Sequence, residues 1–227
     1  MKIQLLDWDT KYFCFKTGVY NIDQRKDFSL EQLELDAQKE GYRLVYLKSQ
    51  QPLNNTSLFA DERLVYFKNR EARPSTFYSE IESYKSVTIE PEVYELALKS
   101  GDFSRYKLDK QFPYEGFQQL YQKWIENSVF TDYATDVLVY RIDNKPVGLL
   151  TYRNDGDTSN IGIIAVNQDY QSAGIGSKLI KHYQSILGNE IKYLDVVTQG
   201  VNKTARFFYE KNGYNIKSSS FVYHLWI

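Results

Sequence analysis

Cysteine is almost absent from this sequence, since Cys14 is the only one among 227 residues. A single cysteine excludes a disulfide within the chain and a zinc site built from cysteine ligands. The sequence has 2 histidines, and no cluster of His, Cys and Asp has the spacing of metal ligands. We therefore expect no bound metal, and no Ser, His and Asp pattern indicates a catalytic triad.

The chain also lacks a strong net charge and a long apolar run. Its formal net charge of -1 gives no electrostatic reason to expect nucleic acid or an anionic membrane as partner. The start, MKIQLLDWDTKYF, has two early acids and no apolar core, so it does not read as a signal peptide. No run is long enough to cross a bilayer, and we expect a cytoplasmic protein.

Aromatic residues, in contrast, are abundant. With 20 Tyr, 13 Phe and 42% hydrophobic residues, the chain has enough apolar surface for a packed core. Its length suggests one full domain and a smaller companion. We place the junction at the aperiodic residues 101–105, which predicts a small N-terminal α/β domain over 1–105 and a second domain over 106–227.

Turn and capping signals divide the first half into short elements. Residues 1–23 are rich in aromatics and read as an extended or loop segment that opens a sheet. Ser29 and Gln32 form a capping box for a helix that ends at Gly41. The other elements predicted in this half are strands at 43–48, 64–68 and 86–89 and a helix at 92–100.

In the second half, residues 136–142 and 146–153 read as a hairpin around the turn Asp143-Asn144-Lys145. One apolar stripe at helical spacing precedes it, formed by Phe117, Leu120, Tyr121, Trp124 and Ile125. Further strands are predicted at 161–166, 191–197, 214–217 and 221–227, and further helices from Gly174 to near Gly188 and at 202–212.

A glycine-rich stretch, Gln171-Ser-Ala-Gly174-Ile-Gly176, lies where the strand at 161–166 ends and a helix begins. Two glycines at such a point let the backbone approach a ligand, and the free N–H groups of a helix start attract phosphate. Leu179 stands where a dinucleotide-binding fingerprint has its third glycine, and the Gly-Lys-Ser/Thr ending of a P-loop is absent. The alternative is a turn that only connects strand and helix.

A second pattern lies on the helix at 202–212, where Asn202, Ala205, Tyr209 and Gly213 precede Tyr214. With 20 tyrosines in the chain, an isolated Tyr209 would more often be a packing residue beside Ala205. Asn202 can cap the helix or bind a ligand.

Together the two patterns resemble the GCN5-related N-acetyltransferase (GNAT) superfamily. Its motif A is Gln/Arg-x-x-Gly-x-Gly/Ala, and a later signature is Asn-x-x-Ala-x-x-x-Tyr-x-x-x-Gly-Phe, in which Tyr214 replaces the last Phe. The resemblance implies an α/β (α+β) fold in which helices flank a mixed sheet, with the catalytic domain at 106–227. It also implies acetyl-CoA as co-substrate and direct transfer of its acetyl group to an amine.

The same resemblance assigns site residues. The pyrophosphate of acetyl-CoA is held by the amides of Gln171, Ser172, Ala173, Gly174, Ile175, Gly176 and Ser177. The backbone of Ile164, Ala165 and Val166 pairs with the pantetheine arm, and one N–H group stabilises the oxyanion, which contributes roughly 3 kcal/mol. Ordinary edge pairing of these strand residues is the alternative. Asn202 is a pantetheine ligand or a cap. Tyr209 protonates the departing thiolate, since a phenol of pKa ~10 stays protonated at neutral pH.

The general base is left unassigned. His182 falls beside the apolar stripe of its helix, so we expect it to be solvated. His224 alternates with Tyr223 and Leu225 on a strand and reads as a hydrogen-bonded structural histidine. Asp195 interrupts an apolar strand and either steers the incoming amine or pairs with a neighbour.

Several further stretches resemble the dTDP-fucosamine N-acetyltransferases, which acetylate the 4-amino group of dTDP-4-amino-4,6-dideoxygalactose. They are residues 6–13, Phe103-Ser104-Arg105-Tyr106 with Asp109, residues 120–125, Thr198-Gln199 and residues 223–226. The chain departs from that family at Cys14 and over most of 43–100. This resemblance implies a nucleotide-linked amino sugar as acceptor. It also implies that the N-terminal half lies on the acceptor side.

Other functions stay open. The acceptor is alternatively a protein N-terminus, a polyamine or an aminoglycoside, and an acidic cleft would favour those cations. A CoA-binding module without catalysis is the alternative from another class. A homodimer is compatible with the sequence, which leaves the oligomeric state undecided.

Overall fold

The computed structural model describes residues 2–23, 28–54, 57–70, 77–84 and 86–227. The chain forms two compact units. Unit 1 comprises residues 1–64, 199–201 and 218–227, and unit 2 comprises residues 65–198 and 202–217. This division differs from the boundary that the sequence suggests near residue 105, because the helix Pro91–Ser100 packs in the core of unit 2.

The elements are as follows in chain order. The strands are β1 (Gln4–Leu5), β2 (Thr17–Asn21), β3 (Leu44–Ser49), β4 (Phe59–Asn69), β5 (Ile81–Ser83), β6 (Asp136–Ile142), β7 (Lys145–Asp155), β8 (Thr158–Val166), β9 (Tyr193–Gln199) and β10 (Asn215–Trp226). The helices are α1 (Asp7–Phe13), α2 (Leu30–Lys39), α3 (Pro91–Ser100), α4 (Arg105–Leu108), α5 (Tyr114–Phe130), α6 (Ile175–Ile186) and α7 (Lys203–Lys211).

Unit 1 is a small sheet with α2 packed on one face. Its strand order is β1, β2, β3, β10 and β4, with β2 parallel and β10 antiparallel to β3. Leu33 and Ala37 of α2 are fully buried with Val45 of β3. The Ser29 hydroxyl accepts a hydrogen bond from the Gln32 N–H at 3.2 Å. The Ser29 half of the predicted capping box is therefore confirmed, whereas the Gln32 side chain donates to Asp36 Oδ1 at 2.8 Å.

The prediction of an extended or loop segment at the N-terminus is wrong for residues 7–13, which form α1, while Met1 lies outside the described residues. Acidic Asp7 lies in the first turn and Lys11 in the last, an arrangement that the helix dipole favours. Trp8 and Tyr12, one turn apart, stack with ring centroids 4.8 Å apart. The aromatic residues that suggested extended structure thus stabilise a helix.

Unit 2 contains the strands in the order β4, β9, β8, β7, β6 and β5. The pairs from β5 to β8 are antiparallel, whereas β8 and β9 are parallel. Helices α3 and α5 cover one face, where Leu96, Ile125, Leu149 and Ile163 share a buried cluster. The predicted hairpin and the apolar stripe of α5 are confirmed.

Helix α6 approaches the sheet closely because residue 148 has no side chain. A Cβ at Gly148 would lie 2.9 Å from Ile175 Cγ2 and 3.1 Å from Leu179 Cδ1. Further along α6, the rings of Tyr183 and Tyr152 pack with centroids 4.9 Å apart. Glycine in the strand interior therefore marks a close helix approach.

Two predicted strand boundaries are corrected. The prediction of a strand at 86–89 is wrong, because the edge strand is β5. Val87, one of the apolar residues on which that prediction depended, is 94% exposed. At the C-terminus, one strand, β10, replaces the two predicted at 214–217 and 221–227. The serines at 218–220 interrupt the apolar pattern but leave the strand continuous.

Arg70, just after β4, caps the C-terminal end of α6. Its guanidinium donates to the carbonyls of Leu187 at 2.8 Å, Ile191 at 3.2 Å and Gln184 at 3.4 Å, and to that of Gly188. The last carbonyls of a helix have no partner within the helix, and a cation there complements the helix dipole.

Replacing Arg70 should therefore destabilise the fold. We expect Arg70→Met to lower the free energy of unfolding by about 2 kcal/mol, because several carbonyls lose a charged donor. Urea denaturation measures this change. The control is Arg153→Met, which removes one exposed bond of 3.4 Å to the Tyr133 carbonyl and should cost less than about 0.5 kcal/mol. Equal losses in the two variants would contradict the capping role.

Candidate functional site

The parallel strands β8 and β9 diverge along their length. They pair only over residues 158–161 of β8 and 193–196 of β9. β8 continues to Val166 and β9 to Gln199, but no further pair joins these residues, all of which the structure describes. An opening between two parallel strands therefore begins after Ile161.

A β-bulge in β8 lies at the point of divergence. Leu150 of β7 faces Ile164 and Tyr152 faces Ile161, so β8 has one residue more than β7 between these pairs. A bulge bends its strand and increases the local twist. The bend accounts for the separation of β8 from β9.

The sequence builds this bulge from a threonine and a glycine. The Thr151 hydroxyl accepts a hydrogen bond from the Ile163 N–H at 2.9 Å, in place of a backbone partner. A Cβ at Gly162 would lie 2.9 Å from that same hydroxyl oxygen. A side chain at residue 162 would therefore compete with the bond that holds the bulge.

Backbone groups of β8 face the opening. The N–H groups of Ile163 and Asn167 donate to β7 at 2.9 Å and 2.8 Å. Because N–H and C=O groups alternate in direction along a strand, those of Ile164 and Val166 point away from β7, toward the opening. The N–H and C=O groups of Ile164 and the N–H group of Val166 can therefore pair with an extended polar ligand.

The loop after β8 adopts an unusual backbone conformation before α6 begins. Its Gln171 side chain donates to the Val166 carbonyl at 3.2 Å. Ser172 has φ 64° and Gly174 has φ 79°, so both lie in the left-handed region. Glycine adopts this region without strain, whereas the serine does so at a cost of about 1 kcal/mol.

The first turn of α6 carries the features of an anion site. Gly174 is its N-cap, no side chain of the described residues caps it, and no acidic residue lies in its first turn. The N–H groups of Ile175, Gly176 and Ser177 therefore lie at the positive end of an uncapped helix. Such a helix start favours phosphate groups.

Helix α7 packs against the start of α6 through a glycine. A Cβ at Gly176 would lie 3.0 Å from the Phe208 ring. The Asn202 side chain accepts a hydrogen bond from the Ala205 N–H at 3.0 Å and so caps α7. The cap and this contact fix the helix that carries Tyr209.

Tyr209 is 4% exposed, and its ring lies among other aromatics. The ring centroids of Tyr66 and Tyr214 are 5.6 Å and 6.0 Å away. Burial raises the pKa of Tyr209, so its phenol stays protonated throughout the physiological range.

The structure thus places the predicted residues in one continuous region of unit 2. Residues 164–166 line the open part of β8, residues 171–177 form the loop and the start of α6, and α7 with Asn202 and Tyr209 packs beside that start. The binding and catalytic roles of these residues stay predictions.

The expectations for other titratable residues are partly corrected. His182 is 4% exposed rather than solvated, because the segment at 77–78 covers it: the Phe77 ring lies 5.5 Å away and the Tyr78 N–H donates to Nδ1 at 3.5 Å. Asp195 accepts a hydrogen bond from Lys217 Nζ at 3.0 Å, which is the pairing alternative.

Three residues of the region were not singled out from the sequence. Thr151 and Gly162 hold the bulge, and Tyr66 packs against Tyr209. A glycine inside an apolar strand is a signal for a bulge, so Gly162 could have been found. Tyr66 had no such signal, because its contact joins residues far apart in the chain.

Among the residues that the structure describes, no group of His, Cys, Asp or Glu side chains is arranged to hold a metal ion. The same residues include no helix whose length and hydropathy suit a membrane span.

Comparisons with known proteins agree with this geometry. Residues 134–216 match the family described as Acetyltransferase (GNAT) domain. No curated protein matches the sequence. The chain is similar to a solved conserved protein of unknown function from Staphylococcus epidermidis ATCC 12228, with TM-score 0.66, 16% identity and coverage of 97% of this chain and 88% of that one.

Two further solved structures carry family names. One is a GCN5-related N-acetyltransferase from Sphaerobacter thermophilus, with TM-score 0.53, 13% identity and coverage of 99% and 76% of the two chains. The other is assigned to the GNAT family and comes from Novosphingobium aromaticivorans DSM 12444, with TM-score 0.53, 14% identity and coverage of 80% and 73%. At such identities these similarities show the fold.

The chain therefore has the GNAT fold, a mixed sheet flanked by helices, as the sequence predicted. Its matched domain, residues 134–216, contains the diverging strand, the glycine-rich loop and α7. The match of residues 134–216 to an acetyltransferase domain indicates that the chain is an acyltransferase enzyme.

Burial of His182 has a consequence for stability. Burial lowers the pKa of His182, so the unfolded chain binds more protons than the folded one as pH falls through ~6.5, the ordinary value for histidine. The stability that the neutral side chain contributes is present above that pH and is lost below it.

The free energy of unfolding of the wild type should decrease as the pH falls from about 7.5 to about 5.5. We expect a smaller decrease in His182→Gln, since the variant has no histidine at this position to protonate. Urea denaturation at the two pH values measures this difference. Lys181→Gln, an exposed neighbour on α6, is the control and should leave the pH dependence unchanged. An unchanged pH dependence in His182→Gln would contradict the assignment.

Proposed function

We propose that the chain transfers the acetyl group of acetyl-CoA to the amine of a nucleotide-linked amino sugar, a dTDP-4-amino-4,6-dideoxyhexose. The main observation that supports this reaction is the divergence of β8 from β9 in front of the uncapped start of α6. The proposed acceptor rests on the resemblance of the sequence to dTDP-fucosamine N-acetyltransferases.

The proposed cofactor site follows the open backbone. The diphosphate of acetyl-CoA is held by the amides of residues 171–177, where the helix dipole and the left-handed Gly174 favour an anion. The pantetheine arm runs along residues 164–166 and pairs with both backbone groups of Ile164 and with the N–H group of Val166. Asn202, which caps α7, lies beside the arm with its amide N–H groups as donors.

The proposed chemistry is a direct transfer. The acceptor amine, which has lost a proton to a base or to water, attacks the thioester carbon, so a C–N bond forms and the C–S bond breaks. A backbone N–H of residues 164–166 donates to the oxyanion. Tyr209 gives its proton to the sulfur as the thiolate of CoA departs. Since burial raises the pKa of Tyr209, the phenol is protonated when the reaction begins.

The acceptor distinguishes this proposal from its alternatives. Another amine, such as a protein N-terminus, a polyamine or an aminoglycoside, would leave the transfer unchanged, whereas a CoA-binding module would bind the cofactor without turnover. A screen of these amines with acetyl-CoA, read by thiol release, separates the three cases. We also propose that the protein is cytoplasmic.

Tyr209→Phe tests the proton donor. We expect kcat to fall about 10²-fold, the usual contribution of a general acid, while the Kd for CoA changes little because no binding group is lost. Steady-state thiol release gives kcat and calorimetry gives the Kd. Unchanged turnover would remove Tyr209 from the catalytic step.

Gly176→Val tests the diphosphate site. We expect loss of CoA binding by at least about 10-fold, because the new side chain meets Phe208 and blocks the amides of the helix start. Gly116→Val is the matched control, since Gly116 is also in the first turn of a helix and faces only Pro113. Normal calorimetric affinity in Gly176→Val would contradict the site.

A further inference from the structure

Tyr66 of β4 is the aromatic residue that joins this strand to the helix of Tyr209. Its side chain is fully buried, and its ring centroid lies 5.6 Å from that of Tyr209 at an interplanar angle of 45°. Its hydroxyl donates to Glu210 Oε1 at 2.8 Å. Tyr66 thus contacts Tyr209 through its ring and the next residue of α7 through its hydroxyl.

We propose that Tyr66 is a positioning residue for Tyr209, which holds the phenol of the general acid in line with the leaving thiolate. This inference rests on the proposed function, because it gives Tyr66 a task only if Tyr209 is the acid. Tyr66 acts through α7 and touches no substrate.

The hydrogen bond to Glu210 is of the strong kind, since its acceptor is a carboxylate. Burial, and then the bond to Glu210, raises the pKa of Tyr66, whereas a bond with Arg206 lowers it. The net shift is upward, so the hydroxyl remains a donor at neutral pH. Without Glu210 the buried hydroxyl would lack this hydrogen bond, which is costly. The bond therefore fixes the orientation of the Tyr66 ring.

A second contact ties the same strand to the end of α7. Lys68 Nζ donates to the Asn212 carbonyl at 3.3 Å. Residues 66 and 68 lie on one face of β4 because side chains alternate along a strand. Two positions of β4 therefore hold α7 at residues 210 and 212, on the C-terminal side of Tyr209.

Position matters for a general acid, because its proton must lie within hydrogen-bond reach of the leaving atom. A displacement of about 1 Å can lower the rate by up to about 10²-fold. Tyr66 lies outside the matched GNAT domain at 134–216. The inference thus assigns part of the catalytic geometry to a strand from the first half of the chain.

Tyr66→Phe keeps the ring and removes the hydroxyl. We expect kcat to fall about 10-fold while KM for acetyl-CoA stays within about 2-fold, since the cofactor groups are untouched. Tyr94→Phe is the matched control. Tyr94 also donates to a glutamate, Glu126, at 3.2 Å, but this bond joins α3 to α5 and does not involve α7. It should leave kcat unchanged. Equal kcat in Tyr66→Phe and the wild type would overturn the inference.

Glu210→Ala provides a second variant, because Glu210 is exposed and its loss leaves the core intact. It removes the acceptor instead of the donor, so kcat should fall to the same extent as in Tyr66→Phe. Glu210→Gln keeps an acceptor oxygen and should restore most of the rate. A full rate in Glu210→Ala would show that the bond does not position α7.

A double-mutant cycle separates positioning from general stability. In the Tyr209→Phe background, Tyr66→Phe should lower kcat no further, because no acid remains to be positioned. A further 10-fold loss would overturn the inference. If Tyr209→Phe alone leaves kcat unchanged, the proposed function fails and this inference with it; if only Tyr66→Phe has no effect, this inference alone fails.

Discussion

The rest of the site depends on the loss of pairing between β8 and β9 after residues 161 and 196. An unpaired backbone group that is kept from water costs about 1–3 kcal/mol, so a sheet normally closes such a gap. Here the bulge bends β8 away from β9, and the Thr151 hydroxyl stabilises the bulge by accepting a hydrogen bond from the Ile163 N–H. Both backbone groups of Ile164 and the N–H group of Val166 consequently face the opening, where a ligand could pair with them as a strand does. A local hydrogen bond thus determines where β8 leaves β9.

The glycines around the opening have different physical tasks. Gly148 has no side chain because α6 approaches the sheet at that point, and Gly176 has none because the Phe208 ring of α7 lies against it. Gly174 is required for its left-handed backbone at the N-cap of α6. Between the last two, Ile175 is buried and anchors the helix start in the core. The spacing of the motif therefore reflects backbone geometry and packing, which also leave the amides of the helix start uncovered.

Local patterns in the sequence predicted the elements that carry the site, because each has its own signal: the hairpin turn, the glycine pair and the Asn202 cap. Contacts between distant segments were not predictable in this way. His182 lies beside the apolar stripe of α6 by periodicity, yet it is buried because residues 77–78 cover it. Similarly, the pattern at 64–68 identified a strand but not its neighbour β9 or the packing of Tyr66 on Tyr209.

In the proposed role of Tyr209 as general acid, burial has opposing effects. It keeps the phenol protonated, but the raised pKa makes proton release less favourable than from a solvated tyrosine. A thiolate of ordinary pKa, ~8.5, is already a weaker base than a phenolate, so acidity alone gives little driving force. The benefit of a buried tyrosine must then come from alignment, since a rigid donor loses no entropy when the C–S bond breaks. The aromatic packing around Tyr209 supplies that rigidity, and β4, from outside the matched domain, provides one side of it.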